Sequence, residues 1–348
     1  ERVGRHDNFF DLGGHSLLVM SLLEQMKKWG VSMAISQVFD CPTVAELACS
    51  LVNERIQSSD SSCLALMRKG KNNESPLFLI HDGTGTVLSY VGLAGLMSNN
   101  ISVYGLHAMG LDPDGGAFSS IESMASAYIE SIRKVQGDGP YRLAGWSMGG
   151  VVAYEMGRQL LMKGERVEFV VMIDSYALGV IGGINKNSTL KSAALSFLEN
   201  RNPLINESVL RRLEEMQDVD SVVRECYRLG FDSPGTSMNE TVDTIKVLHY
   251  MDVALNSYCP PKFNGDCFLL LADQKSDTLD GLVFEENDMC GWRGLVDPSR
   301  VINIGGDHHT IMQPPYIQMV ADIINSVVKN SESARKPAVE RSDRKSVL

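Results

Sequence analysis

Tyr141-Arg142-Leu143-Ala144-Gly145-Trp146-Ser147-Met148-Gly149-Gly150 is the stretch on which the fold turns. Residues 141–146 form a short apolar run of strand length, and a helical pattern begins at 149 and continues to 163. Between them stands Ser147, flanked two residues away on each side by Gly145 and Gly149, a G-x-S-x-G string in strand–turn–helix context. So tight a turn forces the serine backbone into a strained conformation, and only small residues at 145 and 149 let strand and helix approach. The pattern therefore marks Ser147 as a nucleophile exposed at the edge of a sheet. The N–H of Met148, at the positive end of the following helix, is one donor of an oxyanion hole.

Outward from this elbow the chain alternates. PLFLIHD (76–82), ISVYGLHA (101–108), VEFVVMID (167–174), CFLLLA (267–272) and RVINIG (300–305) are continuous apolar runs, the signature of strands buried on both faces. Helical patterns at 86–97, 121–136, 149–163 and 315–328 lie between or after them. The expected fold class is α/β, a mostly parallel sheet covered on both sides, with its chemistry beyond the carboxyl ends of the strands. Residues 176–258 break the rhythm with helical patterns at 189–200, 207–217, 219–229 and 240–258 and no strand, which predicts a helical lid.

A serine nucleophile needs a base, and the base an orienting acid, in the chain order Ser, acid, His for this arrangement. His308 and His309 follow the last strand in RVINIGGDHHTIM, and spacing alone leaves both open. His249 lies within a helical pattern and is set aside. Asp174 and Asp273 end successive strands, VVMID and FLLLAD, and both remain candidates for the acid. The second oxyanion donor is expected in the loop HDGTG (81–85), at Gly83.

Composition bounds the rest. The chain has 348 residues, 44% hydrophobic, enough for about two domains with real cores. Lys and Arg total 32 against 43 Asp and Glu, a net charge of −11 that argues against a nucleic-acid partner, which would need clustered cations. No apolar run approaches the roughly 18 residues of a membrane span. Seven scattered cysteines without a CxxC pair fit neither a disulfide framework nor a zinc site, so no metal is expected. Reduced thiols are the expectation, and with them a cytoplasmic location. Residues 58–75 (SSDSSCLALMRKGKNNES) read as a linker, and 331–348, with five basic and three acidic residues, as a disordered tail. With no initiator Met and no signal pattern at ERVGRHDNFF, the chain is expected to be a piece of something longer.

Before the linker, DNFFDLGGHSLL (7–18) places Ser16 at the start of an apolar helix, where free N–H groups favour an attached anion or a simple cap. Pro42-Thr43-Val44-Ala45-Glu46 carries a T-x-x-E capping box for a further helix. The motif at 7–18 resembles the attachment site of peptidyl carrier domains in nonribosomal peptide synthetases. The large segment resembles the type I thioesterase, an α/β-hydrolase, that ends such assembly lines. His15, where polyketide carriers usually have Asp, tilts the resemblance toward peptide synthesis.

That resemblance implies 4′-phosphopantetheine carried covalently on Ser16, and His308 as base, matching Gly306-Asp307-His308-His309-Thr310-Ile311-Met312. It implies Asp174 as the acid, Asp273 occupying the position more usual in other α/β-hydrolases. The expected organisation is a peptidyl carrier at 1–57, the linker at 58–75, a thioesterase at 76–330 with its lid at about 176–258, and the tail. Only six residues precede Asp7, so the carrier's first helix is expected to be missing and residues 1–57 loosely packed. The implied activity moves a peptidyl group from the carrier to Ser147 and releases it by hydrolysis or macrocyclisation. Implied partners are upstream condensation and adenylation modules, a phosphopantetheinyl transferase and a peptidyl thioester substrate. The alternatives are a standalone-type or editing thioesterase or esterase, and a carrier and docking module whose hydrolase domain is inactive.

Overall fold

The computed structural model describes residues 3–5, 7–28, 33, 35–47, 63–71, 74–108, 120–180, 189–201, 205–231, 238–274 and 289–335. Its centre is a seven-stranded sheet in the order β1-β3-β2-β4-β5-β6-β7. The strands are β1 (Leu64–Arg68), β2 (Leu77–Ile80), β3 (Val103–Leu106), β4 (Tyr141–Trp146), β5 (Val167–Ile173), β6 (Cys267–Ala272) and β7 (Val301–Ile304). From β3 to β7 every neighbouring pair is parallel, and β1 runs antiparallel on β3 at the edge.

Side-chain alternation assigns the two faces. Phe78 and Ile80 of β2, Leu143 of β4 and Val170 and Met172 of β5 join one core. Leu77, Leu79, Ala144, Phe169, Val171 and Ile173, their sequence neighbours, join the other. The first face is covered by the helices Ile121–Arg133 and Met148–Met162, the second by Val91–Leu96 and Tyr316–Arg335. Numbering the described helices along the chain, these are α4, α5, α3 and α10; α1 is Ser16–Lys28 and α2 is Ile35–Asp40.

The expected lid is helical: α6 (Leu190–Arg201), α7 (Glu207–Glu214), α8 (Val219–Arg228) and α9 (Met238–Ser257). It has its own core of Ala194, Leu198, Leu213, Val222, Val223 and Ile245. Asn206 and Asp218 cap α7 and α8 with side-chain oxygens on first-turn N–H groups. Val247, Met251 and Ala254 of α9 reach instead into the body's core, so α9 ties the lid to the sheet.

Two boundaries differ from the sequence reading. Residues 64–68, assigned to the linker, form β1; a five-residue edge strand among Ser, Asn and charge lacks the long apolar run of a central strand. At the other end α10 continues to Arg335, five residues into the expected tail, because a helix can propagate past its last core contact. Residues 336–348 lie outside those described.

At the N-terminal end, Thr43 and Glu46 make the capping box in both directions, the Thr43 N–H donating to Glu46 Oε2 and the Glu46 N–H to Thr43 Oγ1, each at 3.2 Å. The expectation of loose packing over 1–57 falls partly outside the described residues. Of those described, Leu12, Leu18 and Met20 are exposed, whereas Val19, Val38 and Phe39 are buried. Phe39 belongs to the core on the α3 side of the sheet, with Phe10 stacked on it at 5.0 Å.

Candidate active site

Three loops at the carboxyl edge of the sheet converge. The first is the elbow after β4. Ser147 has φ 57° and ψ −126°, a strained conformation held because its N–H donates to Ile173 O at 2.8 Å. A Cβ at Gly145 would lie 2.1 Å from Gly149 C, and one at Gly149 2.3 Å from Ile80 O, so glycine is required at both. Met148 opens α5, and its N–H, in the first turn, has no intrahelical carbonyl to bond.

The second loop follows β5. Asp174, 1% exposed, sits at φ 42°, which turns its carboxylate back over the strand ends. Oδ1 accepts from the Ala272 N–H at 2.9 Å, and Oδ2 from the Tyr176 hydroxyl at 2.9 Å. Burial, reinforced by the Asp174 charge, pushes the Tyr176 hydroxyl far above the usual tyrosine range, so it stays protonated and donating.

The third loop follows β7. His308 Nδ1 lies 2.7 Å from Asp174 Oδ2, and its Nε2 lies 3.1 Å from Ser147 Oγ. A carboxylate only accepts, so Nδ1 carries the proton and Nε2 is free to take one from the serine. The Trp146 indole N–H donates to His308 O at 3.0 Å, and the two rings are 5.1 Å apart, so the residue before Ser147 also positions His308. Asp307 shapes the turn by accepting from the His309 and Thr310 N–H groups.

Ser147, Asp174 and His308 are thus brought together as one hydrogen-bonded line. Asp273 is exposed at the end of β6, and the His309 ring stands edge-on, 6.5 Å from Trp146. Gly83 lies just beyond β2, whose Ile80 pairs with Gly145 of β4, so its loop runs beside the elbow. A Cβ there would meet nothing within 4 Å. The Tyr90 hydroxyl ties the two loops, donating to Ile80 O at 2.6 Å and accepting from the Trp146 N–H at 2.7 Å. Tyr90 and Tyr176 were not singled out from the sequence. Tyr176, two residues past a candidate acid, carried a local signal; Tyr90, 56 residues before its partner, carried none.

Far along the chain, Ser16 is the first residue of α1. Gly13 (φ 92°) and Gly14 precede it, and a Cβ at Gly14 would lie 2.4 Å from the Phe9 ring. The Gly14 N–H donates to Phe9 O at 2.9 Å, closing a turn that leaves Gly13 and His15 exposed at the helix start. First-turn amides of a 13-residue helix suit a phosphate-linked group.

Comparison with known proteins places this geometry. The thioesterase domain family matches residues 75–314. The chain belongs to the thioesterase domain family. Residues 1–49 match the phosphopantetheine attachment site, a domain that carries 4′-phosphopantetheine covalently, so the chain is a carrier segment followed by a thioesterase. Malpibaldin synthetase from Mortierella alpina is 42% identical over 178 residues, 51% of this chain and 3% of that protein. Atromentin synthetase nps3 from Serpula lacrymans is 26% identical over 351 residues, covering 93% of this chain and 34% of its own length. A solved four-domain nonribosomal peptide synthetase, holo-AB3403 bound to AMP and glycine, superposes with a TM-score of 0.65 at 27% identity, over 93% of this chain and 24% of that one. The chain therefore spans a small part of these synthetases. Among the described residues no helix of this thioesterase is long and apolar enough to cross a membrane.

Proposed function

We propose that this chain is the product-releasing end of a nonribosomal peptide synthetase, with Ser147 as nucleophile, His308 as base and Asp174 as its orienting acid. The observation that carries the reading is the continuous hydrogen bonding from Asp174 through His308 to Ser147 Oγ, in a chain that also matches a phosphopantetheine attachment site. Ser16, the first residue of α1, would hold the phosphopantetheine, where first-turn amides favour a phosphate. That group, when bound, supplies the thiol on which the peptidyl substrate arrives as a thioester.

The chemistry of the chain's own residues follows from the geometry. Ser147 Oγ attacks the thioester carbonyl carbon as His308 Nε2 takes its proton. Asp174 stabilises the imidazolium, and the Met148 and Gly83 amides face the oxyanion. Collapse breaks the C–S bond, and His308 returns the proton to the departing sulfur. The ester on Ser147 is then opened by water, giving a linear acid, or by an amine or hydroxyl of the same peptide, giving a ring. In either case His308 takes the attacking group's proton and returns it to Ser147. The lid helices exclude water to a degree that sets the balance between the two products.

Intact-mass analysis after a serine-directed fluorophosphonate tests the nucleophile: labelling is expected in the wild type and in Ser16→Ala, and lost in Ser147→Ala. No labelling of the wild type would return the reading of an inactive hydrolase domain. Incubation with coenzyme A and a phosphopantetheinyl transferase is expected to load Ser16 alone. Upstream modules supply the peptidyl group, and synthetic peptidyl thioesters resolve the outcome, since linear and cyclic products differ by one water.

A further inference from the structure

The loop that carries Gly83 is held from beneath by a buried side chain to which the catalytic line gives no role. His81 is fully buried. Its Nδ1 lies 2.7 Å from the backbone carbonyl oxygen of Asp82, and its Nε2 lies 2.7 Å from the hydroxyl of Tyr128 on α4. A carbonyl only accepts, so Nδ1 is the protonated nitrogen. In the neutral ring Nε2 must then accept, and the Tyr128 O–H donates to it. Burial pulls His81 below the usual histidine range, against the opposing pull of the Asp82 carbonyl and carboxylate, and so favours that neutral ring. His107, nearby, is itself pushed down to about 4, by burial first and then by His81.

The Asp82 carbonyl matters because of the peptide it belongs to. In a trans peptide the C=O of one residue and the N–H of the next point in opposite directions. Fixing Asp82 O toward the buried His81 ring therefore turns the Gly83 N–H the opposite way, out of the interior. Several polar groups of the turn are engaged within it. Asp82 O also accepts from the Gly85 N–H at 3.0 Å, and Asp82 Oδ1 accepts from the Thr84 N–H at 2.8 Å and from the Thr84 hydroxyl.

We propose that His81 is a positioning residue for acyl transfer: its Nδ1–H, with the tautomer selected by Tyr128, locks the Asp82–Gly83 peptide so that the Gly83 amide faces the oxyanion before substrate arrives. The proposal rests on the reading of Gly83 as an oxyanion donor. His81 never touches the reacting atoms. Its effect falls on kcat and on affinity for a tetrahedral anion, not on KM.

The experiment is a double-mutant cycle on the full chain, reading hydrolysis of the N-acetylcysteamine thioester of a short peptide and inhibition by an alkylboronic acid, whose adduct on Ser147 is a tetrahedral anion. Gly83→Pro deletes the amide. Loss of one oxyanion donor costs about 10²–10³ in kcat, and the expectation for His81→Phe is a fall of about 10- to 100-fold with KM within about twofold. Boronate affinity should fall in parallel. Because both changes act through one amide, His81→Phe is expected to add little to Gly83→Pro. Tyr128→Phe should show the same pattern in weaker form. His81→Asn, whose amide nitrogen can occupy the place of Nδ1, should recover most of kcat and boronate affinity.

Full additivity of His81→Phe and Gly83→Pro, or a His81→Phe enzyme with wild-type kcat and boronate affinity, would overturn the proposal. If His81→Phe fails to fold, Tyr128→Phe in cycle with Gly83→Pro carries the same test. Wild-type turnover in Gly83→Pro has a different meaning: it removes Gly83 from the oxyanion hole, and the positioning role with it, while leaving Ser147, His308 and Asp174 in place.

Discussion

At Asp174 a single backbone torsion decides which carboxylate lies against His308. Asp174 and Asp273 end neighbouring parallel strands, β5 and β6, and on a sequence they are equivalent. The left-handed φ of 42° at Asp174 turns its side chain toward His308, and the Ala272 N–H and Tyr176 hydroxyl hold it there. Asp273 has its backbone tied to Ile304 O and lies exposed. Asp174→Asn keeps the shape but offers an amide where His308 needs an acceptor. Turnover of a peptidyl thioester should fall by about 10⁴, the scale seen when this acid is changed in a serine triad. Asp273→Asn should stay close to wild type in the same kcat measurement, and the reverse result would transfer the role. The sequence narrowed the choice to two residues because strand ends are local features. Strand pattern alone could not finish, and the family resemblance had to point to Asp174, because which residue reaches His308, 134 positions away, is set by tertiary geometry. The elbow serine was legible for the opposite reason: Gly145, Ser147 and Gly149 carry their own constraint within five residues.

Elements differ in how much of their reason for being lies within themselves. Of the six parallel strands, β2 to β6 are apolar runs buried largely on both faces, so hydrophobicity marks them, whereas the edge strand β7 is only part-buried. β1 could be placed only by its pairing with β3, and α2, six residues long, has no periodicity to read. Glycines sort in the same way. Gly149 in α5 abuts the carbonyls of Ile80 and His81, with a Cβ position 2.3 and 2.5 Å from their oxygens. Gly149→Ala must push helix from strand; overpacking of this kind costs about 1–3 kcal/mol, and urea unfolding should show it together with a loss of kcat. Gly95 in α3 has nothing within 4 Å of its Cβ position and an ordinary helical environment. Gly95→Ala should raise stability by about 0.4–1 kcal/mol, by restricting the unfolded chain.

A pH dependence follows from the junction between α5 and the chain just past α9. Glu155 is buried, and burial by itself would raise its carboxyl. Hydrogen bonds from Arg158, from the Tyr258 hydroxyl at 2.6 Å and from Gln159 outweigh that and hold it below the usual glutamate range. A carboxyl depressed in the folded state contributes stability that is present above its unfolded pKa and lost as pH falls through the folded value. The thermal midpoint of the wild type should therefore drop on acidification below about pH 4.3, the unperturbed glutamate value. Glu155→Gln should be less stable at neutral pH and show a shallower acid limb. Parallel curves for the two proteins would contradict this account.

Over the whole molecule the question is how a carrier segment and a hydrolase sit in one chain. Phe39 of α2, 3% exposed, lies in the same core as Ala65 of β1 and Val87, Leu93 and Ala94 around α3, so the carrier segment contributes an aromatic to the hydrolase face. Arg68, at the end of β1, donates to Ala94 O and Met97 O at the C-terminal end of α3, where a cation is favoured. Burial lowers the Arg68 guanidinium, and the nearby Asp11 carboxylate of the carrier segment opposes that. The contact is not filled: an open cleft of about 540 Å³, lined by Phe10, Asp11, Phe39, Arg68 and Ala94 among others, lies between the two. An interface divided by such a cleft depends on its anchor. Phe39→Ala should therefore release the contact, at a cost of about 3–5 kcal/mol if the side chain is wholly lost from the core. Hydrogen exchange would report where that cost falls. Amides of β1 and α3 should exchange faster in Phe39→Ala, while those of β4 and β5, three strands from the edge and beyond, should keep their protection. Unchanged exchange at β1 and α3 would mean that the hydrolase edge is self-sufficient and that the carrier segment only rests on it.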